Sequence, residues 1–175
     1  MALVLGVDPG LTRCGYGLVS GSKAIDFGMF QSEKTDDPTK RVGKIALELE
    51  ELISKHQPAL IALERVFAQS NLRSVMGVAQ ISGALMAIAF ERSIPVEFFT
   101  PSEVKAAVAG HGRASKDQVG QMVCRLLGLK EVPKPADVAD ALAVALCAQN
   151  KSQIASTPAK KRWVAAEKAA KQKLG

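Results

Sequence analysis

The sequence predicts an α/β protein built on a mixed five-stranded sheet, and the order of its apolar segments is the main reason. Three strand-like segments, residues 3–8, 15–20 and 24–31, follow one another after short polar or Gly-containing breaks, as in an antiparallel meander. Two further apolar segments, residues 59–64 and 95–100, each follow a long stretch of helical periodicity. Strands that alternate with helices form parallel crossover units. We therefore expect three antiparallel strands, then parallel crossover strands, flanked by helices.

The helices are predicted from apolar periodicity and from the residues that begin and end helices. Asp37 and Pro38 precede a stretch with apolar residues at helical spacing, which runs to about Lys55. Thr100 and Ser115 each stand three residues before a Glu or a Gln, which is the pattern of a capping box. The predicted helices cover about residues 38–55, 71–92, 101–109, 116–128 and 136 onwards.

The length and the charge distribution indicate one domain with a basic extension. At 175 residues the chain is long enough for a full hydrophobic core. Its net charge of +6 comes from the end of the chain, because residues 151–175 hold seven Lys or Arg and one acid, Glu167. We expect a domain over residues 1–150 and a basic C-terminal tail over 151–175, whose order the sequence leaves open. The tail either adds salt-sensitive attraction to polyanions or only improves solubility.

The cysteines and the N-terminal segment indicate a protein of the cytoplasm. Cys14, Cys124 and Cys147 are odd in number and show no CxxC spacing, so we expect neither a disulfide framework nor a zinc site. No basic segment precedes the first apolar residues, as it would in a signal peptide. The longest uncharged stretch, residues 74–90, is too short for a membrane span. We expect a cytoplasmic location and no membrane association.

Four acidic side chains stand where predicted elements begin or end. Asp8 and Glu64 end the first and fourth strands, and Asp137 and Asp140 lie three apart at the start of the last helix. If those strands are parallel neighbours, their carboxyl ends meet at one sheet edge, where open α/β sheets hold their sites. Each acid alone has an ordinary explanation, as an exposed strand end or a helix cap. Together, four carboxylates without His or Cys suit Mg²⁺ or Mn²⁺, and two such ions about 3.5–4 Å apart can activate water at a phosphodiester.

Four segments resemble the RuvC family of Holliday-junction resolvases, which have a ribonuclease-H-like fold. They occur in the family's order and spacing and cover nearly all of residues 3–148. The resemblance implies a homodimer that cuts four-way DNA junctions by paired symmetric nicks in homologous recombination and DNA repair. It also implies two Mg²⁺ ions per active site, with Mn²⁺ as a substitute, and the branch-migration proteins RuvA and RuvB as partners. The segments are LGVDPGLTRCGYG, IALERVF, FFTPSEVKAAVAGHGRASKDQV and PADVADALAVAL.

The resemblance also assigns roles to individual residues. Asp8, Glu64, Asp137 and Asp140 match the family's metal-binding catalytic acids. Some members have His at the position of Asp137, so the Asp here implies an all-carboxylate site. Phe67 matches an aromatic residue that the family places against bases near the junction centre, although core packing is its simpler explanation. The residues expected to bind DNA are Phe67, Lys105, Arg113, Lys116 and Arg73.

Several of these DNA-binding candidates have another explanation. Lys105 and Lys116 match basic residues implicated in DNA binding and catalysis, but without the resemblance they would be solvated lysines on helix surfaces. Arg113 on the glycine-rich loop 110–114 and Arg73 near the start of the long helix are candidates for phosphate contacts. His111 could move protons on the same loop, yet an exposed His without a function is the simpler explanation.

The long helix predicted over residues 71–92 is apolar nearly all round, with small residues such as Gly77, Gly83 and Ala87. Such a helix is either internal or buried against a partner, and the resemblance favours a dimer contact for part of its surface. A two-fold dimer would suit a junction of approximate two-fold symmetry. Three other functions stay open: an ATP-binding domain of the actin and sugar-kinase type, a related nuclease acting on RNA, and a non-catalytic junction-binding protein.

Overall fold

A five-stranded mixed sheet forms the centre of the protein, whose computed structural model describes residues 1–65 and 72–156, with side chains over 1–65 and 75–151. The strands are β1 (Val4–Asp8), β2 (Arg13–Ser20), β3 (Lys23–Gln31), β4 (Leu60–Glu64) and β5 (Val96–Phe99). Their order in the sheet is β3-β2-β1-β4-β5. The pairs β1–β2 and β2–β3 are antiparallel, and the pairs β1–β4 and β4–β5 are parallel. The predicted combination of a meander with crossover strands is confirmed.

Three of the helices begin at the residues that the capping patterns predicted. Asp37 caps the first helix, and Thr100 and Ser115 form complete capping boxes with Glu103 and Gln118. In each box, side chains satisfy backbone N–H groups that have no partner within the helix. The helices of the described residues are α1 (Pro38–His56), α2 (Leu72–Glu91), α3 (Pro101–Ala109), α4 (Lys116–Leu126) and α5 (Ala136–Ser156).

Apolar side chains form two clusters, one on each face of the sheet. Successive residues of a strand point to opposite faces, so Val4 of β1 joins the cluster with α3, α4 and α5, whereas Leu5 and Val7 join the one with α1 and α2. The alternation repeats on β4, where Ala62 belongs to the first cluster and Leu63 to the second. Helices thus cover both faces, and the carboxyl ends of β1 and β4 open between the two helical layers.

α5 lies unusually close to the sheet, because three glycines leave room for its backbone. A Cβ atom at Gly6 would overlap the carbonyl oxygen of Ala141, and one at Gly15 would overlap that of Asp137. At Gly17 a Cβ atom would lie 2.6 Å from a methyl carbon of Leu142. Glycines inside strands often mark such an approach of another backbone. Because these glycines have no side chains, the first turns of α5 can lie close to β1 and β2.

The C-terminal end of α5 extends past the predicted domain boundary. Residues 151–156 of the predicted basic tail are helical, so a boundary at residue 150 falls inside α5. Lys151 forms an ion pair of 2.9 Å with Glu97 of β5 and lies over the ring of Phe99. Residues 157–175 lie outside the described residues. Within the described ranges, no helix combines the length and the apolar character needed to cross a bilayer.

Candidate active site

Three elements bring the four predicted carboxylates to one edge of the sheet. Asp8 ends β1 and Glu64 ends β4, and these strands are parallel neighbours, so the two acids leave the sheet side by side. Asp137 and Asp140 lie in the first turns of α5, which crosses the same edge. Asp8, Glu64 and Asp140 line a cavity of about 230 Å³. Asp137 lines a neighbouring cavity instead.

Charge repulsion links the four acids. The pKa of Asp8 is raised from 3.8 to about 7, chiefly by burial and then by the charges of Asp140, Asp137 and Glu64, while Lys116 lowers it. Burial and the charge of Asp140 likewise raise the pKa of Glu64. Desolvation and like charges both disfavour an ionised carboxylate. Burial and mutual repulsion thus both disfavour the ionisation of these acids, and a bound divalent cation would offset both effects.

Lys116 partly compensates this charge from the first turn of α4. Its Nζ donates a hydrogen bond of 2.9 Å to Oδ2 of Asp140, and this contact raises the pKa of Lys116. The capping box of Ser115 fixes the start of α4 and thereby the position of Lys116. Lys105 of α3 lines the same cavity. Two lysines thus stand beside three carboxylates, where a phosphate group would meet both charges.

Arg13 plays a similar part for Asp137. Its Nε lies 3.3 Å from Oδ2 of Asp137, within ion-pair distance. That buried oxygen nevertheless accepts no hydrogen bond from the part of the chain that the structure describes, because the contact with Arg13 lacks hydrogen-bond geometry. A buried carboxylate oxygen without a donor retains free capacity for another partner.

The donor set suits a hard divalent cation, although the side chains are not oriented around one. All four candidate ligands are carboxylates, and their mutual repulsion and the unfilled oxygen of Asp137 favour a cation. Within the described part of the chain, however, no three Asp, Glu, His or Cys side chains stand close enough to hold one ion. The ion pairs explain the difference, because Lys116 and Arg13 each hold one of the carboxylates. An ion at this site competes with both basic side chains.

The other predicted residues are distributed differently. Arg113 and His111 are exposed on the loop between α3 and α4, and neither lines the carboxylate cavity. Phe67 lies outside the described residues. The backbone of Arg73 belongs to the first turn of α2, but its side chain is outside the described ones. The structure thus brings Lys105 and Lys116 to the acids, and the roles of the other three DNA-binding candidates stay predictions.

Sequence reasoning missed the basic residues on the other side of Asp137. Arg13, Lys34 and Arg41 line the second cavity, which has a volume of about 600 Å³. Arg13 had a usable signal, because it begins a strand that pairs antiparallel with β1 and so starts at the edge where Asp8 ends. Lys34 and Arg41 come from a loop and a helix, and no local pattern connects them with the acids.

Comparison with known proteins gives one consistent family. The model of the family described as crossover junction endodeoxyribonuclease RuvC matches residues 4–148. The crossover junction endodeoxyribonuclease RuvC of Saccharopolyspora erythraea is 50% identical over 149 residues, which cover 82% of this chain and 75% of the relative. The protein of that name from Paenarthrobacter aurescens is 47% identical, and the alignment covers 97% of each chain.

Solved structures agree with this result. The fold is similar to Thermus thermophilus RuvC, with 33% identity and a TM-score of 0.82 over 88% of this chain and 97% of the other. It is also similar to T. thermophilus RuvC in complex with Holliday junction substrate, with 34% identity and a TM-score of 0.84 over 89% and 98%. The yeast mitochondrial Holliday junction resolvase Ydc2, at 20% identity and a TM-score of 0.59 over 85% and 80%, shares the fold.

Proposed function

The chain belongs to the RuvC family of crossover junction endodeoxyribonucleases, and from this premise we propose that it resolves four-way DNA junctions by paired symmetric nicks that require Mg²⁺. Divalent-metal dependence is general among nucleases of this family. Mg²⁺ as the ion, two ions per active site and Mn²⁺ as a substitute are parts of the proposal. The observation that carries it is the convergence of four carboxylates from β1, β4 and α5 at one sheet edge.

Asp8, Glu64, Asp137 and Asp140 would hold the ions. Bound ions would supply Lewis-acid stabilisation of the charge that develops on the phosphate and lower the pKa of a water. The raised pKa of Asp8 supports this assignment, because a neighbouring cation favours the ionised carboxylate that burial disfavours.

Lys105 and Lys116 would hold the scissile phosphate. Both line the cavity of Asp8, Glu64 and Asp140, so a phosphate placed there meets positive charge on one side and the carboxylates on the other. Such contacts contribute affinity that falls steeply with salt. Arg113, Arg73 and Phe67 remain proposed contacts on the strength of the family resemblance.

A homodimer formed through α2 belongs to the same proposal. The inner face of α2 packs Ile81 and Leu85 into the core, whereas its outer face exposes Met76, Met86 and Phe90. These three lie within about a quarter of the helix circumference at 3.6 residues per turn. Between them, a Cβ atom at Gly83 would meet none of the described residues within 4 Å, so these residues leave the surface open to a second helix. A second copy would cover this face and place two identical sites on one junction.

RuvA and RuvB as partners and a cytoplasmic location are proposed from family membership and from the sequence composition. A nuclease acting on RNA and a non-catalytic junction-binding protein are the alternatives. They differ from the proposal in substrate and in turnover, so a cleavage assay with both nucleic acids separates them.

The test is cleavage of a synthetic mobile four-way DNA junction by wild type and Asp140→Asn, with Mg²⁺ or with EDTA. We expect symmetric nicks in Mg²⁺ by the wild type, none in EDTA, and none by Asp140→Asn, which still binds the junction. Glu50→Gln is the matched control, since Glu50 pairs with a basic residue, Arg92, away from the site. If the wild type binds junctions of varied core sequence but cleaves none of them, the proposed nuclease activity is contradicted. If it cleaves RNA but not the junction, the alternative of a nuclease acting on RNA is supported.

A further inference from the structure

A basic cavity adjoins the carboxylate group, and the assignments above leave it without a ligand. Its volume is about 600 Å³, within the range of cavities that bind a ligand. Its walls come from the loop between β1 and β2, the loop after β3, and helices α1, α2 and α5. Asp137 belongs to its lining, so the cavity adjoins the carboxylate group.

The charge of the lining favours an anion. Among the described residues that line the cavity, Arg13, Lys34 and Arg41 contribute three positive charges and Asp137 contributes the one negative charge. Arg13 pairs with Asp137, which leaves the charges of Lys34 and Arg41 uncompensated. No carboxylate of the described residues lies within ion-pair distance of either side chain.

Arg41 is held in place by neutral groups. Its Nε donates a hydrogen bond of 3.0 Å to Oγ of Ser32, and its Nη2 donates one of 2.8 Å to Oγ1 of Thr12. Ser32 is buried and donates its own hydroxyl hydrogen to the carbonyl oxygen of Leu11. These contacts orient the guanidinium without neutralising it. Because a guanidinium has five N–H donors, Arg41 retains three for an anion, in a planar arrangement that fits a phosphate.

The lining also distinguishes between kinds of anion. Among the described residues that line it there is no aromatic side chain on which a base could stack, and their apolar part consists of glycines with Leu11 and Val78. Recognition there depends on charge and on hydrogen bonds from Arg41, which are the contacts that proteins make to the DNA backbone. The position beside Asp137 places such a phosphate next to the one that the carboxylates would hold.

We infer that this cavity binds a backbone phosphate of the junction DNA, adjacent to the phosphate cleaved, through Arg13, Lys34 and Arg41. The inference rests on the proposed junction cleavage, since it assigns a second contact to the same DNA. Arg41 supplies a fixed fork of donors, and the exposed Lys34 supplies a mobile charge. The second contact would orient the strand as it enters or leaves the active site.

The experiment measures binding of a fluorescein-labelled four-way junction by anisotropy, in EDTA and at several salt concentrations. Lys34→Gln removes one exposed charge with no described structural contact, and we expect weaker binding and a salt slope smaller by about one. Arg41→Lys keeps the positive charge but loses the planar set of guanidinium donors. The affinity for the junction should therefore fall with little change in its dependence on salt concentration. Lys23→Gln is the control, because Lys23 is also exposed but lies at the opposite end of the sheet.

The outcomes separate this inference from the proposed function. If the wild type cleaves the junction in Mg²⁺ and Lys34→Gln and Arg41→Lys bind like Lys23→Gln, the second phosphate site is excluded while the nuclease stands. If the wild type neither binds nor cleaves the junction, both fail together. Calorimetry with inorganic phosphate completes the test, since phosphate binding without any effect of the variants on the junction would assign the cavity to a small anion and overturn the inference.

Discussion

Gly15 of β2 lies directly against the backbone of Asp137, so closely that a Cβ atom at Gly15 would overlap the carbonyl oxygen of Asp137. The same glycine pairs with Asp8 in the register of β1 and β2. One residue without a side chain therefore determines how near the first turn of α5 comes to the acid at the end of β1. The distance between carboxylates of different elements depends on this contact.

Gly15→Ala tests this dependence. The added methyl group displaces the first turn of α5, and we expect the free energy of unfolding to fall by about 1–3 kcal/mol. The rate of junction cleavage should fall by a larger fraction than the free energy of unfolding does. Denaturant unfolding and junction cleavage in Mg²⁺ measure the two effects. Gly43→Ala is the control, because a Cβ atom there, inside α1, would meet none of the described residues within 4 Å, and the substitution should stabilise the protein by up to about 1 kcal/mol. Equal activity of both variants would contradict the role of Gly15.

The elements of the fold and the four acids were predictable because their signals are local. Apolar alternation marked the strands, and the capping residues Asp37, Thr100 and Ser115 marked helix starts that the structure reproduces. Asp8 and Glu64 each follow a buried strand directly, so their common edge followed once β1 and β4 were taken as parallel neighbours. The family resemblance supplied the roles of Lys105 and Lys116.

The contacts between elements were not predictable in the same way. Nothing near Asp137 in the sequence indicates that Arg13 pairs with it, since that pair joins β2 to α5. The cavity lined by Lys34 and Arg41 is formed by five segments of the chain, so it exists only once the chain has folded. Gly15 and Gly17, two residues apart in one strand, indicated that another segment packs closely on that face of the sheet. Only the folded structure identifies this segment as α5.

Asp8→Asn should change how the stability of the metal-free protein depends on pH. The folded protein keeps the proton of Asp8 up to about pH 7, whereas the unfolded chain loses it near the ordinary pKa of 3.8. The folded state binds more protons between these values, so this group contributes stability at low pH that is lost as pH rises towards 7. The amide that replaces the carboxyl group of Asp8 does not ionise, so the variant does not lose this stability as the pH rises. Its melting temperature in EDTA should therefore exceed that of the wild type at pH 8 but not at pH 4.

Each kcal/mol moves the melting temperature of a domain of this size by about 2–4 °C, so a thermal scan detects the effect. Glu33→Gln removes an exposed acid and controls for the loss of one charge. Adding Mg²⁺ should narrow the difference at pH 8, because a cation stabilises the ionised Asp8 of the wild type. A difference that is the same at both pH values would refute the role of Asp8 ionisation.

Phe90→Glu should abolish the proposed dimer. Phe90 is 88% exposed on the outer face of α2, and a charge there would be desolvated at an interface between two copies. Leu47 is 62% exposed on α1, so Leu47→Glu introduces the same charge on another surface. Sedimentation equilibrium should give a dimer for the wild type and Leu47→Glu and a monomer for Phe90→Glu. A monomeric wild type at micromolar concentration would rule out the α2 dimer.

Arg13→Gln should bind Mg²⁺ more tightly than the wild type in the absence of DNA. In the structure Arg13 holds Asp137, so an ion that uses Asp137 displaces this pair. Ion pairs exposed to this degree contribute about 0.2–1 kcal/mol to stability. Removing the competing pair should therefore raise the affinity of the protein for Mg²⁺ by up to about fivefold. Titration calorimetry of the DNA-free protein measures it, with Arg92→Gln, which breaks the pair with Glu50, as the control. Unchanged or weaker binding by Arg13→Gln would mean that Arg13 does not compete with the ion.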